Sequence, residues 1–194
     1  VDQVEFFEFQ ELLESDVRLP GVDINPMEDT AVLIYTGGTT GAPKGVQLTH
    51  FNLVVNCQQG FEFVTTQLSK TVESIGEGGM IVVLPLAHSF ALSMAMNLGL
   101  WCGYKLILFA RPPEPISDVL KLIVKENATF APGVPTLWNK INQDPKSGSY
   151  KEGLKKADFV ACMSAAAPLP LDVKLKFEEL TGAQLIEGYG MSES

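Results

Sequence analysis

The chain has 194 residues, of which 46% are hydrophobic and 19% are charged. This length and composition predict a folded domain with a substantial hydrophobic core and exclude a disordered chain. The 14 basic and 23 acidic residues give a formal net charge of -9, which argues against a nucleic-acid partner because binding to the phosphate backbone requires a basic surface. Three widely spaced cysteines form neither a CxxC pair nor a metal-binding pattern, which favours a reducing, cytoplasmic compartment.

The first half of the chain is predicted to alternate between strands and helices. Its N-terminus is acidic and lacks the basic start of a signal peptide. The run 31–35 (AVLIY) is apolar and β-rich, which predicts a strand buried on both faces of a parallel sheet. After a loop rich in Gly and Thr, the expected elements are a helix over 49–63, a strand over 80–84, a helix over 88–101 and a strand over 105–109.

One stretch, 90–110, is apolar and long enough to span a membrane. The residues Gly103, Tyr104 and Lys105 interrupt it, so a helix followed by a buried strand is the favoured interpretation. No membrane span is therefore predicted, and peripheral association with a membrane surface is left open.

The second half contains the clearest helical periodicity in the chain. Apolar residues at 116, 119, 120, 123 and 124 fall on one face of a predicted helix. Either Ser117 or Asp118 is expected to cap this helix, and Asn127 is expected to end it in a left-handed turn. The later expected elements are a strand beginning at 129–130, a helix opened by Pro135, a turn over 144–149, a strand over 158–163, a helix around 173–180 stopped by Gly182, and a strand over 184–187.

Repeated β-then-α units predict an α/β fold with a mainly parallel sheet and helices on both faces. Such sheets bind ligands at the carboxyl ends of their strands, so the loops that follow strands are expected to carry the chemistry. The chain stops at Ser194, directly after a predicted strand and a glycine-rich turn. Because a further helix would be needed to cover the sheet, the sequence is expected to be part of a longer protein.

The strongest motif is the segment 35–46, which reads YTGGTTGAPKGV. Its glycines allow successive backbone N–H groups to point at an anion, and its threonine hydroxyls add further donors. The side chain of Lys44 adds a point charge suited to a β- or γ-phosphate. The segment is not a Walker loop, because Pro43 and Gly45 stand where that pattern needs Gly and Ser or Thr, and it is not a GxGxxG motif. It predicts a phosphate-binding loop after a buried strand.

Three segments, in order, resemble those of a known family. The segment YTGGTTGAPKGV resembles the phosphate loop of the acyl-adenylate-forming (AMP-binding) superfamily, which includes acyl-CoA synthetases, luciferases and adenylation domains of peptide synthetases. The segment LPLAHSF (84–90) is similar to the family's PLFHxFG segment. The segments MSAAAPL (163–169) and IEGYGMSES (186–194) are similar to its SGAAPL and QGYGxTE segments. The resemblance is strongest to long-chain fatty acyl-CoA synthetases, which often carry YTGGTTG.

The resemblance implies ATP- and Mg²⁺-dependent activation of a carboxylic acid, expected to be a fatty acid, followed by thioester formation with coenzyme A. It implies that residues 1–194 are an incomplete N-terminal AMP-binding domain, with the phosphate loop at 35–46 and the GYGMSE segment at 188–193, and that the C-terminal domain is absent from the chain. The family's ribose-binding aspartate and C-terminal lysine are then missing, so the isolated chain is expected to be inactive. Two alternatives stay open: an adenylation domain that loads a carrier protein, and a non-catalytic nucleotide-binding domain. The particular acid and the oligomeric state are also left open.

The resemblance further implies roles for individual residues. The expected catalytic residues are Lys44, His88, Ser192 and Glu193. The hydroxyl of Ser192 would meet the α-phosphate, Glu193 would hold Mg²⁺, and His88 would contact the acyl carboxylate or a phosphate without transferring a proton. The ring of Tyr189 would lie against the adenine, while Arg111 would either meet a coenzyme A phosphate or be a solvated loop charge. The full expected set for nucleotide and coenzyme A is Thr36, Gly37, Gly38, Thr39, Thr40, Gly41, Lys44, Arg111, Ala165, Ala166, Ala167, Glu187, Gly188, Tyr189 and Ser192.

Overall fold

The structure is a computed structural model that describes residues 21–36, 42–67, 76–157 and 159–193. The strands among these residues are β1 (Thr30–Thr36), β2 (Lys44–Thr49), β3 (Gly79–Val82), β4 (Lys105–Leu108), β5 (Phe130–Gly133), β6 (Ala161–Ser164) and β7 (Gln184–Glu187). The helices are α1 (His50–Gln67), α2 (Ser89–Ala91), α3 (Leu98–Trp101), α4 (Asp118–Glu126), α5 (Pro135–Gln143), α6 (Lys151–Lys156) and α7 (Leu171–Thr181). A π-helical segment (Leu92–Asn97) joins α2 to α3, and a 3-10 turn (Ser147–Tyr150) precedes α6.

Five strands form a parallel sheet in the order β4-β3-β5-β6-β7. Side chains alternate between its two faces, as the pleat of a strand requires. The side chains of Met80 and Val82 pack in one hydrophobic cluster and that of Ile81 packs in the other. The first cluster includes residues of α1 and α3, whereas the second includes residues of α4, α5, α6 and α7. The predicted parallel sheet with helices on both faces is confirmed.

The helix predicted from periodicity is α4, and its apolar face is buried. The side chains of Val119, Leu120 and Ile123 are fully inaccessible to solvent. The helix ends at Asn127, whose left-handed φ of 50° confirms the predicted C-terminal turn. Neither predicted residue caps the helix through its side chain. Ser117 precedes the helix but makes no side-chain capping bond, and its N–H donates to Asp144 Oδ2 at 3.1 Å. Asp118 is the first residue of the helix itself.

The interpretation of the run 31–35 as a strand of the parallel sheet is also wrong. The strand β1 exists, but it pairs antiparallel with β2 in a separate two-stranded sheet. Within it Leu33 is 52% exposed and Tyr35 is 71% exposed. Apolar composition indicates a strand but does not choose its partner. The decisive feature is the short connection, because a parallel crossover needs about a dozen residues or more, whereas β2 begins eight positions after β1 ends.

The strand β2 was not predicted, because residues 44–46 were assigned to the phosphate loop and residue 49 to a helix. The remaining differences are mostly of extent. The helical stretch predicted at 88–101 and the strands at 105–109, 130 and 184–187 are present, and the stretch 90–110 is a helix followed by a strand. The strand predicted at 158–163 is β6, with Asp158 lying outside the described residues. The segment after the predicted turn at 144–149 forms α6, which was not expected. Among the described residues, no helix is both long enough and apolar enough to cross a membrane. The three cysteines are free and buried.

Candidate active site

A cavity of about 590 Å³ lies where residues that follow β3, β6 and β7 meet α1. Its volume is within the range of about 300–1,000 Å³ that is usual for small-molecule sites. The position at the carboxyl ends of parallel strands agrees with the expectation from the fold. The lining residues are Asn56, Gln59, Phe63, His88, Ser89, Phe90, Ser93, Met94, Met163, Ala165, Ala166, Glu187, Gly188, Tyr189, Gly190 and Met191.

One wall of the cavity is the turn that follows β6. The N–H of Ala165 donates to Gly133 O at 3.2 Å, which extends the β5–β6 pairing by one residue. The next residue, Ala166, has a left-handed φ of 69°, a conformation that costs an L-residue with a Cβ about 1–2 kcal/mol. Strained backbone of this kind is common at ligand sites. The turn thus presents small side chains and backbone to the cavity.

A second wall is the segment that follows β7. The N–H of Gly188 donates to Ser164 O at 2.8 Å, so this segment starts in register with the end of β6. The carboxylate of Glu187 accepts the Leu169 N–H at 2.8 Å and ties the two turns together. The ring of Tyr189 borders the cavity and is 92% exposed, so its face is uncovered and available to a flat ligand.

The side chain of His88 borders the cavity at the start of α2. Its Nδ1 accepts a hydrogen bond from the Phe90 N–H at 3.2 Å and caps the helix. A neutral imidazole that accepts at Nδ1 carries its proton on Nε2. The geometry therefore leaves Nε2–H as a donor for an oxygen of a ligand, a role that requires no proton transfer.

A contact between two serine side chains joins the segment around His88 to the last residues that the structure describes. The hydroxyl oxygens of Ser89 and Ser192 are 3.2 Å apart, and both side chains are half-buried. The adjacent Glu193 is exposed. The segments 84–90 and 186–193 are thus neighbours at one site, although they are about a hundred residues apart in the sequence.

Several predicted residues are not part of the cavity lining: Thr36, Lys44, Arg111, Ala167, Ser192 and Glu193. The residues Thr36 and Lys44 are directly paired across β1 and β2, so the phosphate loop is the connection of a hairpin. Both Lys44 and Arg111 are exposed. The loop residues Gly37, Gly38, Thr39, Thr40 and Gly41 lie outside the described residues.

Helix α1 supplies a face of the cavity that the sequence analysis did not identify. The residues Asn56, Gln59 and Phe63 fall at i, i+3 and i+7, which places them on one side of the helix. That spacing was visible in the sequence, but nothing in the sequence indicates which face of a helix borders a ligand. The residues Ser93 and Met94 of the π-helical segment were missed for the same reason.

The side chains in this region are suited to contact a nucleotide and a magnesium ion. The uncovered Tyr189 ring and the small residues Ala165 and Ala166 can flank a base, and His88 and Ser192 offer donors to phosphate oxygens. No group of three His, Cys, Asp or Glu side chains that could hold a metal occurs among the described residues. A single carboxylate such as Glu193 still fits Mg²⁺, which proteins commonly bind through one or two carboxylates together with substrate phosphates.

The sequence matches the family model described as "AMP-binding enzyme" over residues 1–194. The chain belongs to the AMP-binding enzyme family. Its resemblance to that family, noted from the three motifs, is confirmed across the whole chain. Most of the residues that line the cavity belong to two of those motifs, so the cavity lies where these segments of the family's sequence signature meet.

Acid–CoA ligases are among the proteins similar to this chain. It is 38% identical over 173 residues to a long-chain-fatty-acid–CoA ligase of Bacillus subtilis, covering 88% of this chain and 28% of that protein. It is 32% identical over 188 residues to a 4-coumarate–CoA ligase of Narcissus pseudonarcissus, covering 96% of this chain and 32% of that one. The crystal structure of ATP-bound MatB from Rhodopseudomonas palustris superposes with a TM-score of 0.72 at 28% identity, covering 90% of this chain and 31% of MatB. The chain thus spans about three tenths of these relatives.

Proposed function

We propose that the full-length protein containing this chain is an acid–thiol ligase that activates a carboxylic acid with ATP and transfers the acyl group to coenzyme A. The observation that carries the proposal is the approach of Ser89 to Ser192, whose hydroxyl oxygens are 3.2 Å apart. It joins two family motifs beside one cavity at the carboxyl ends of the sheet. Residues 1–194 would be part of the N-terminal domain of this ligase, and a C-terminal domain would complete the site.

In the first step a carboxylate oxygen attacks the α-phosphorus of ATP, and pyrophosphate leaves. No general base is needed, because the attacking carboxylate is already ionised. The protein's task is to position the two substrates and to stabilise the charge that develops on the phosphate oxygens. The Nε2–H of His88 and the hydroxyl of Ser192 are proposed as the donors to these oxygens, with Lys44 reaching the β- or γ-phosphate. When bound at Glu193, Mg²⁺ would neutralise phosphate charge.

In the second step the thiol of coenzyme A attacks the acyl carbon, the C–O bond to phosphate breaks, and AMP leaves. A fatty acid is the proposed acyl donor. The apolar part of the cavity lining, which includes Phe63, Phe90 and Met94, supports an apolar acid. The similarity to both a fatty-acid ligase and a 4-coumarate ligase makes aromatic acids the class to test beside fatty acids.

The proposal is tested by carboxylate-dependent exchange of labelled pyrophosphate into ATP, measured on the full-length protein with short, medium, long and aromatic acids. Exchange that requires one class of acid would support adenylation and identify that class. The variants Lys44→Ala and Glu193→Ala should each reduce exchange by about 100-fold or more, since each removes a charge that acts on the phosphates. The matched controls are Lys155→Ala and Glu152→Ala, which break an exposed ion pair outside the cavity lining and should leave exchange unchanged.

Other outcomes would favour the alternatives. An adenylation domain would be favoured if pyrophosphate exchange is normal and the acyl group is transferred to a carrier protein but not to coenzyme A. Binding of Mg-ATP without exchange for any acid would contradict the ligase and favour a non-catalytic nucleotide-binding domain.

A further inference from the structure

The fold brings Ser89 and Ser192 together although they are 103 residues apart in the chain. Either hydroxyl can act as the donor across the 3.2 Å between their oxygens. The first borders the cavity directly after His88, and the second follows the segment 188–191 that borders it from another side. Since both side chains are half-buried, water competes only partly for this contact.

The two serines differ in how firmly their surroundings hold them. The backbone of Ser89 is fixed at the start of a continuous helical stretch, directly behind the His88 cap. In contrast, Ser192 lies in a turn after β7, between the exposed residues Met191 and Glu193. A serine has no β-branch, so its χ1 angle is less restricted than that of threonine. Among the described residues, the side chain placed to orient the Ser192 hydroxyl is that of Ser89.

The hydrogen-bonding capacity of a hydroxyl permits an ordered arrangement of the pair. Each hydroxyl donates one hydrogen bond and accepts up to two. If Ser89 donates to Ser192, then Ser192 still has its own proton for a third group. A hydroxyl that accepts a hydrogen bond is polarised and becomes a stronger donor.

We infer that Ser89 is a positioning residue that orients Ser192 toward the α-phosphate of ATP, an inference that rests on the proposed adenylation function. The Oγ–H of Ser89 donates to Ser192 Oγ and fixes its rotamer, and Ser192 Oγ–H then donates to a phosphate oxygen. The benefit is largest where negative charge develops during attack on phosphorus. The pair therefore acts on the rate of adenylation more than on the affinity for ATP, and neither serine makes or breaks a covalent bond.

The test separates kcat from KM for ATP in carboxylate-dependent ATP–pyrophosphate exchange by the full-length protein. Four proteins are compared: wild type, Ser89→Ala, Ser192→Thr and the double variant. We expect Ser89→Ala to lower kcat about tenfold, the size of one hydrogen bond, with KM changed less than about twofold. In the Ser192→Thr background the same change should cost about threefold or less, because the branched Cβ of threonine restricts χ1 without help.

The matched control is Ser149→Ala, which removes an exposed hydroxyl that donates to Lys146 O at 2.6 Å and should leave kcat and KM unchanged. If Ser89→Ala lowers kcat equally in both backgrounds, the inference is overturned, because the loss of kcat would then be independent of the side-chain rotamer of residue 192. An unchanged kcat in Ser89→Ala would overturn it as well. In that case the wild-type protein still catalyses pyrophosphate exchange, and only the positioning role of Ser89 is wrong. If the wild-type protein shows no exchange with any acid, the proposed function itself is wrong.

Discussion

The N–H of Gly188 donates to the carbonyl oxygen of Ser164 at 2.8 Å. This bond continues the parallel β6–β7 ladder one residue past the paired Ser164 and Glu187. Because this bond fixes the level at which both segments leave the sheet, the turn at 165–166 and the segment at 188–191 lie side by side where they border the cavity. A regular feature of the sheet thus determines the geometry of the candidate nucleotide site.

Enlarging Gly188 should weaken binding of Mg-ATP. A Cβ there would lie 3.2 Å from Met163 Sδ and 3.4 Å from its Cγ, so the methionine that borders the cavity must shift. We expect Gly188→Ala to reduce affinity by about threefold to tenfold, or about 1 kcal/mol, in calorimetric titration of the full-length protein. The variant Gly190→Ala, whose Cβ would meet nothing within 4 Å, should lose less affinity for Mg-ATP. Equal losses in the two variants would contradict this reason.

Enlarging Gly133 should destabilise the fold. A Cβ there would overlap Trp138 Cζ2 and lie 2.8 Å from Leu137 Cδ2, and Trp138 is fully buried against Phe177. Overpacking of this kind costs about 1–3 kcal/mol or more, so the melting temperature of the full-length protein should fall by about 2 °C or more. The control Gly148→Ala meets nothing within 4 Å and should melt within about 1 °C of wild type. A normal melting temperature for Gly133→Ala would contradict the packing described here.

Replacing Ala166 by glycine should stabilise the protein. The left-handed φ of 69° is costly for alanine but accessible to glycine. After subtracting the greater flexibility of glycine in the unfolded chain, we expect a net gain of about 0.5–1 kcal/mol, read as a higher melting temperature. The adjacent change Ala167→Gly, at a residue without a positive φ, should lower the melting temperature instead. A loss of stability in both variants would show that residue 166 is not strained.

Alkaline pH should destabilise the protein partly through Cys102. Burial raises the pKa of this thiol from 9.0 to about 11, with a smaller contribution from Cys57. Between these two values the unfolded chain has lost a proton that the folded chain keeps. The stability from this thiol is therefore present below about pH 9 and is lost as the pH rises toward 11. The melting temperature should fall less steeply over that range in Cys102→Ala, and an unchanged slope would contradict the assignment.

The sequence predicted those features that depend on local residue chemistry. The positive φ values of Asn127 and Gly182 end α4 and α7 as expected, because these residue types tolerate left-handed turns. The periodicity of α4 identified its buried face, and the motif residues Ala165, Ala166, Gly188 and Tyr189 do border one cavity. These predictions needed only periodicity, turn chemistry and the order of the motifs.

Features that depend on pairing in three dimensions could not be predicted. The run 31–35 has the composition of a buried strand, yet β1 pairs antiparallel with β2, whose residues were not predicted to form a strand. The contact between Ser89 and Ser192 depends on the order of strands in the sheet. The position of Asn56 and Gln59 at the cavity depends on how α1 is rotated against the sheet, which helical spacing alone does not determine.

The central claim, that a carboxylate oxygen attacks the α-phosphorus of ATP, is tested most directly by isotope transfer. The full-length protein would receive Mg-ATP, coenzyme A and a fatty acid labelled with oxygen-18 in both carboxylate oxygens, and the nucleotide product would be analysed by mass spectrometry. When the thiol displaces AMP from the acyl carbon, the bridging oxygen stays on phosphorus, so each AMP should carry one labelled oxygen. Unlabelled AMP, or ADP formed together with labelled inorganic phosphate, would contradict the proposed chemistry.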